Sequence, residues 1–231
     1  ERNEVFLTYL TAAPGLTEEL LPELIRGAYQ AAGQVPGVRR NTAVRLGLRP
    51  ELTDQPSCLD RLGFHPADRA LELSRVPPTA ADDAMEVNGA ADRDDGVRAT
   101  DLRFVPLDID HIDDYLQVHN PAFLGSPHGG PTNSEEVREA LAAAPYSELL
   151  QVGYLGAVPA SILELGWKEG VGHIASLAVA PAFQGHGLGA AALHRALAVL
   201  RDLGAEEVRL TVIESNTPAL SLYERNGFTL R

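Results

Sequence analysis

The sequence predicts an α/β fold in which a mixed central sheet is flanked by helices. The evidence is a strand pattern over residues 174–179 followed by a helix pattern over 188–203, and then a second strand pattern over 208–213. A further helix follows, opened by Asn216-Thr217-Pro218. Strands that alternate with helices in this way are typical of sheets with parallel neighbours. Hydrophobic residues make up 45% of the 231-residue chain, which suffices for a buried core.

The N-terminal part of the chain predicts a partial copy of the same architecture. Residues 4–10, 44–48 and 71–76 predict strands, and 18–32 predicts a helix that begins at Thr17. The segment 44–64 matches 208–228 without a gap, including Val-Arg-Leu at its start and Gly-Phe at its end. We therefore predict a tandem pair, in which residues 1–76 form a degenerate, partial first unit.

A linker separates the two predicted units. Residues 77–99 begin with Pro-Pro and carry many carboxylates among Ala, Gly and Asn, with few large apolar side chains. Such a composition cannot bury a core. We therefore place the second unit at residues 100–231.

The first half of the second unit predicts two helices and a hairpin. Residues 102–106 predict a strand, and 112–118 carry the apolar positions of a helix. After a loop, Thr132 or Ser134 is expected to cap a helix over 135–143. Residues 149–154 and 157–165 predict a hairpin about Gly156.

A glycine-rich loop, 184–189, joins the strand at 174–179 to the helix at 188–203. Glycines allow a positive φ and a close approach of the backbone to a ligand. The unpaired N–H groups and the dipole of the following helix favour an anion such as a diphosphate. No Lys-Ser/Thr pair follows the last glycine, so this is not a Walker P-loop, and the spacing is not that of a dinucleotide fingerprint. From the loop alone, an ordinary helix entry is an equal alternative.

Two motifs of the second unit resemble those of the GCN5-related N-acetyltransferase (GNAT) family. One is Gln-x-x-Gly-x-Gly after a strand ending in Ala-Val-x-Pro, and the other is Glu-x-Asn-x-x-Ala-x-x-x-Tyr-x-x-x-Gly-Phe. The matching residues are Gln184, Gly187, Gly189, Glu214, Asn216, Ala219, Tyr223, Gly227 and Phe228. The resemblance covers roughly residues 100–231 and implies the GNAT fold. The first unit has Leu52 and Leu59 where the second has Asn216 and Tyr223, so we expect it to be structural.

The resemblance implies acetyl transfer from acetyl-CoA to an amine by direct attack in a ternary complex. Backbone N–H groups of the loop would bind the diphosphate, and a strand N–H would bind the thioester oxygen. The pantetheine arm would lie along the edge of that strand. For Asn216 the alternative is a helix N-cap. The residues predicted to bind the coenzyme are Leu177, Ala178, Val179, Gln184, Gly185, His186, Gly187, Leu188, Gly189, Ala190 and Asn216.

Tyr223 is the predicted acid that protonates the departing thiolate. A phenol has a pKa near 10 and a thiol one near 8.5, so the phenol stays protonated at neutral pH. The base that receives the amine proton is His173, Glu214 or Glu164, with a water relay as an alternative. Strict alternation would place His173 on the strand face of Ala175, Leu177 and Val179.

The acceptor is expected to be a small-molecule amine. In the GNAT family the segment between the first two helices helps to form the acceptor pocket, so Phe123 and His128 are candidates for its lining. Residues 118–123, 128–130 and the following Thr-x-x-Glu are similar to the mycothiol synthase family, which acetylates a cysteinyl amine of a cysteine–glucosamine–inositol conjugate. A polyamine, an aminoglycoside and a peptide N-terminus remain open, as does a non-catalytic acyl-CoA-binding protein.

Composition excludes several other classes. The formal net charge of −13 disfavours nucleic acid and anionic membranes as partners. A single cysteine, Cys58, and the lack of a signal peptide or a long apolar run predict a cytoplasmic protein. No cluster of ligating residues suggests a metal. Because the chain ends three residues after Phe228, either the C-terminus is cut or another segment completes the sheet, and a partner strand in a homodimer is one hypothesis for that segment.

Overall fold

A computed structural model describes residues 4–7, 23, 26–27, 30, 43–46, 68–77, 98–124 and 130–231. The chain divides into two compact units, Glu1–Ala67 and Asp68–Arg231. In the first unit, β1 (Glu4–Leu7) pairs with β2 (Ala43–Leu46) in parallel. Residues 23, 26, 27 and 30 are helical, as predicted. The tandem arrangement stays a prediction, and Leu52, Cys58 and Leu59 lie outside the described residues.

The second unit contains seven strands and four helices among its described residues. The helices are α1 (Ile112–Phe123), α2 (Ser134–Ala143), α3 (Leu188–Asp202) and α4 (Thr217–Arg225). The strands are β3 (Ala70–Arg75), β4 (Leu102–Pro106), β5 (Leu150–Leu155), β6 (Val158–Lys168), β7 (Val171–Val179), β8 (Glu207–Ile213) and β9 (Thr229–Leu230).

All seven strands form one mixed sheet with the order β4-β5-β6-β7-β8-β3-β9. The sheet is antiparallel from β4 to β7, parallel between β7 and β8, and antiparallel again at β3 and β9. The sequence patterns therefore predicted the mixed sheet correctly.

The strand β3 differs from its predicted assignment. Sequence comparison places it at the end of the first unit, but its whole length pairs with β8, from Ala70↔Ile213 to Arg75↔Val208. Its outer edge pairs with the short β9 through Leu73↔Leu230 and Ser74↔Thr229. A segment of the same chain thus covers β8, and no strand from a partner is needed there.

The helices α1 and α3 cover opposite faces of the sheet. On one face, the Tyr154 hydroxyl of β5 donates to Asp114 of α1 at 2.7 Å. On the other, a Cβ on Gly172 of β7 would lie 2.9 Å from Leu200 of α3. Close packing of α3 on β7 therefore requires a glycine at that position.

For most of the described helices and strands, the ends predicted from local sequence patterns lie within one to three residues of the observed ends. The predicted strand 102–106 and the hairpin about Gly156 are confirmed, and Gly156 has φ +61°. The predicted cap of α2 is wrong: the Asn133 side chain accepts from the amides of Glu135 and Glu136. Among the described residues, no helix is long and apolar enough to cross a membrane.

Candidate active site

The strand β7 has two halves that differ in their pairing with β8. Residues Val171 to Ile174 pair with Glu207 to Leu210. Beyond Ile174 the two strands diverge, while β7 stays paired with β6 as far as Val179. Within the described part of the chain, residues 175–179 therefore present an edge of β7 with no strand beside it. Such an edge offers N–H and C=O groups to a ligand.

A bulge at Ala175 changes which side chains share a face of β7. Leu165 lies opposite Ile174 and Glu164 opposite Ser176, so Ala175 is an extra residue without a partner on β6. Side chains at directly opposed positions point to the same face.

The predicted face of His173 is therefore wrong. His173 lies opposite Gly166, and it shares the α1 face with Ser176 and Ala178. Leu177 lies opposite Leu163 and points to the α3 face instead. The bulge inverts the period-two alternation on which the prediction relied.

The loop after β7 exposes the N-terminus of α3. Gly185 and Gly187 have φ +84° and +79°, in the left-handed region that glycine occupies most readily. Gly187 is the N-cap, and no side chain caps the helix. The Ala190 amide donates to the Gly187 carbonyl at 3.0 Å. In the first turn, the amides of Leu188 and Gly189 thus remain without an intrahelical acceptor, which suits an anion.

Two side chains of the loop make internal hydrogen bonds. Gln184 Nε2 donates to the Val179 carbonyl at 3.0 Å, which ties the loop to the end of β7. His186 Nδ1 lies 3.2 Å from the Phe183 carbonyl. In this structure both side chains shape the loop.

The helix α4 contacts the start of α3 through Leu222. Asn216 is its N-cap, and its side chain accepts from the Ala219 amide at 3.3 Å, so the capping alternative holds. A Cβ on Gly189 would lie 3.4 Å from Leu222 of α4. Tyr223 is the next residue of α4 after Leu222.

Tyr223 is buried, with 8% of its surface exposed. Its ring packs edge-on against Phe228 at 5.7 Å. Burial raises the pKa of Tyr223 to about 12, so the phenol stays protonated well above neutral pH.

The other predicted catalytic residues lie farther from the free edge of β7. His173 is exposed and lies opposite Arg209, inside the half of β7 that pairs with β8. It precedes Leu177 by four residues, roughly 13 Å along a strand. Glu214 directly follows β8, and its exposed carboxylate lies 3.7 Å from the Arg69 guanidinium. The loop thus directly follows the free edge of β7, whereas His173 lies in the half of β7 that pairs with β8.

The α1 face carries polar groups that sequence reasoning mostly missed. The Tyr115 hydroxyl, on α1, donates to Glu164 Oε1 on β6. Glu164 lies opposite Ser176, whose Oγ is buried and has no hydrogen-bond partner among the residues that the structure describes. No motif marks Tyr115 or Ser176; only the apolar periodicity of α1 indicated that Tyr115 would face the sheet.

Aromatic side chains continue along α1 toward its C-terminal end. Tyr115 stacks on His119 with ring centroids 5.5 Å apart, and His119 lies 4.7 Å from the Phe123 ring. Phe123 is half-buried, while His128 lies outside the described residues. No group of three or more His, Cys, Asp or Glu within the described ranges could hold a metal ion.

Comparison with known sequences and structures gives the same family for this region. Residues 134–228 match the acetyltransferase (GNAT) family. A mycothiol acetyltransferase from Catenulispora acidiphila is 29% identical over 238 residues, covering 98% of this chain and 73% of that protein. One from Gordonia bronchialis is 36% identical over 118 residues, covering 49% of this chain and 38% of that protein. The chain spans about two fifths of the length of most of the mycothiol acetyltransferases it matches.

A GCN5-related N-acetyltransferase from Sphaerobacter thermophilus has a similar fold. The TM-score is 0.63 at 17% identity, with 92% of this chain and 65% of that chain covered.

Proposed function

We propose that this protein is an acetyl-CoA-dependent N-acetyltransferase, on the premise that residues 134–228 match the acetyltransferase (GNAT) family. Its acceptor is a primary amine of a small molecule. The cysteinyl amine that the similarity to mycothiol acetyltransferases suggests is the first candidate. The observation that carries the proposal is the unpaired edge of β7, which leads directly to the uncapped N-terminus of α3.

The coenzyme arm adds to this edge as a strand would. Residues Leu177, Ala178 and Val179 offer backbone groups to the pantetheine amides and to the thioester oxygen. The amides of Leu188 and Gly189 face the diphosphate, whose negative charge the helix dipole favours. These contacts need backbone atoms only, so the side chains of the loop are free to hold its shape.

The reaction is a direct transfer. The neutral amine nitrogen attacks the thioester carbonyl carbon, the C–S bond breaks, and the thiolate leaves with a proton from the Tyr223 phenol. The phenol is then restored by the proton that the amine has lost. Because burial raises the pKa of Tyr223 to about 12, the acid is still protonated at the pH at which an ordinary amine begins to lose its proton.

The test measures thiol release from acetyl-CoA with a panel of amines. The panel holds cysteinyl amino-sugars, aminoglycosides, polyamines and peptides with free N-termini. We expect turnover with one class, and a fall in kcat of about 10²-fold for Tyr223→Phe, the usual contribution of general acid catalysis. The affinity for acetyl-CoA, measured by calorimetry, should be unchanged in this variant.

Two outcomes would contradict the proposal. Acetyl-CoA that binds without turnover on any amine class would indicate a coenzyme-binding protein. Turnover that Tyr223→Phe leaves unchanged would remove Tyr223 as the acid but keep the activity.

A further inference from the structure

A carboxylate without a cationic partner lies on the α1 face of the sheet, near the free edge of β7. Glu164 of β6 is half-buried and lies directly opposite Ser176 of β7. Ser176 is the first residue after the bulge, where β7 has already parted from β8. Glu164 is therefore much closer than His173 to the strand segment on which the thioester is proposed to lie.

The position of this carboxylate is fixed by Tyr115. The Tyr115 side chain is completely buried, and its hydroxyl donates to Glu164 Oε1. Burial raises the pKa of Tyr115, and the neighbouring Glu164 charge raises it further, so the phenol remains the donor and the carboxylate the acceptor. This leaves the second oxygen, Oε2, available for another donor.

The charge of Glu164 is not balanced within the described residues. No Lys, Arg or His there forms an ion pair with it, although several exposed carboxylates elsewhere in the unit are paired. A partly buried carboxylate is favourable only when it is paired or hydrogen-bonded. A cation supplied by a ligand would complete the site.

A second polar group beside Glu164 also lacks a partner. The Ser176 hydroxyl is buried and makes no hydrogen bond with any described residue. Buried hydroxyl groups in folded proteins nearly always have a partner, so each exception calls for an explanation. The rings of Tyr115, His119 and Phe123 line α1 beyond this point.

We propose that Glu164 binds the acceptor amine in its ammonium form, before that group loses a proton to water and attacks as the neutral amine, with Ser176 as a second contact and Tyr115 as a positioning residue that orients the carboxylate. This inference rests on the proposed function and adds to it the residue that selects the acceptor. It assigns the two faces of β7 to the two substrates, with the coenzyme diphosphate on the α3 side and the acceptor cation on the α1 side.

The test compares KM with kcat for the panel amine that the wild-type protein acetylates best. Glu164→Gln keeps the volume and the hydrogen bond with Tyr115 but removes the charge. We expect its KM for the amine to rise by about tenfold or more, because hydrogen bonds between charged groups are the strong ones. Its affinity for acetyl-CoA, measured by calorimetry, should stay unchanged. Tyr115→Phe should raise the KM for the amine by about threefold to fivefold, because the Glu164 carboxylate loses the hydrogen bond that orients it. The change in kcat should be smaller.

Tyr154→Phe is the matched control. It removes a second hydrogen bond between a phenol and a carboxylate that joins α1 to the sheet, from Tyr154 of β5 to Asp114 of α1 at 2.7 Å. We expect its KM for the amine to equal that of the wild type, and thermal unfolding would verify that all three variants fold.

The outcomes distinguish the proposed acetyltransferase activity from the proposed role of Glu164. A wild-type protein without turnover removes the proposed function, and this inference with it. Wild-type turnover with a KM that Glu164→Gln leaves at the level of Tyr154→Phe overturns the inference alone. A loss in kcat with an unchanged KM would also overturn it, since a recognition role acts through KM.

Discussion

The two faces of β7 build their sites from different parts of the chain. On the α3 side the groups are backbone amides, provided by a glycine loop and a helix end that follow one another in the sequence. On the α1 side the groups are the side chains of Tyr115, Glu164 and Ser176, which come from three separate elements. The backbone site is local and leaves a motif, whereas the side-chain site exists only after the sheet and α1 have packed.

This difference predicts that substitutions will separate the two substrates. A change on the α3 side should alter the affinity for acetyl-CoA, and one on the α1 side should alter the KM for the amine. Two pairs of measurements extend this expectation beyond the tests already described.

The largest effect is expected at Gly187, the N-cap of α3. Both Gly187 and Gly204 have a positive φ, +79° and +84°, so alanine at either should cost about 1–2 kcal/mol of stability. Of these two glycines, only Gly187 lies at the end of α3 that we propose to bind the diphosphate. We expect Gly187→Ala to weaken acetyl-CoA binding by about tenfold or more, since it disturbs the amides of the first helical turn.

Gly204→Ala is the control, because a Cβ there would meet nothing within 4 Å. It should lower the melting temperature about as much as Gly187→Ala and leave the affinity for acetyl-CoA unchanged. An equal loss of acetyl-CoA affinity in both variants would contradict this expectation, because it would show that backbone strain alone weakens binding, wherever the glycine lies.

A smaller effect is expected at Ser176, and it should have opposite signs for stability and for binding. Its buried hydroxyl has no partner within the described ranges, so Ser176→Ala should raise the free energy of unfolding by about 1 kcal/mol. The same change should raise the KM for the amine by about threefold, since the acceptor loses a hydrogen bond. Denaturant unfolding and steady-state kinetics measure the two quantities, and a variant with lower stability and an unchanged KM would contradict this account.

The sequence predicted the α3 side well because each of its parts is local. The alternation of β7, the positive-φ glycines and the helix pattern of α3 can all be recognised in one stretch of about thirty residues. The predicted helix 188–203 differs from α3 by only one residue at its end.

The α1 side could not be predicted in the same way. The single extra residue at Ala175 inverts the faces that alternation assigns, and nothing in the local sequence marks it. The contact between Tyr115 and Glu164 joins residues 49 positions apart, and a single sequence contains no information on that pairing. The pairing of β3 with β8 could not be predicted for the same reason, since it joins residues that are far apart in the sequence, such as Ala70 and Ile213.

Hydrogen exchange of the backbone amides, with and without acetyl-CoA, tests the central claim most directly. We expect acetyl-CoA to slow the exchange of amides in residues 175–179 and of the Leu188 and Gly189 amides, since these groups would gain hydrogen-bond acceptors. Amides of α1 should exchange as before. Protection confined to α1 and β6, with residues 175–179 and the start of α3 unchanged, would contradict the assignment of the free edge of β7 to the coenzyme.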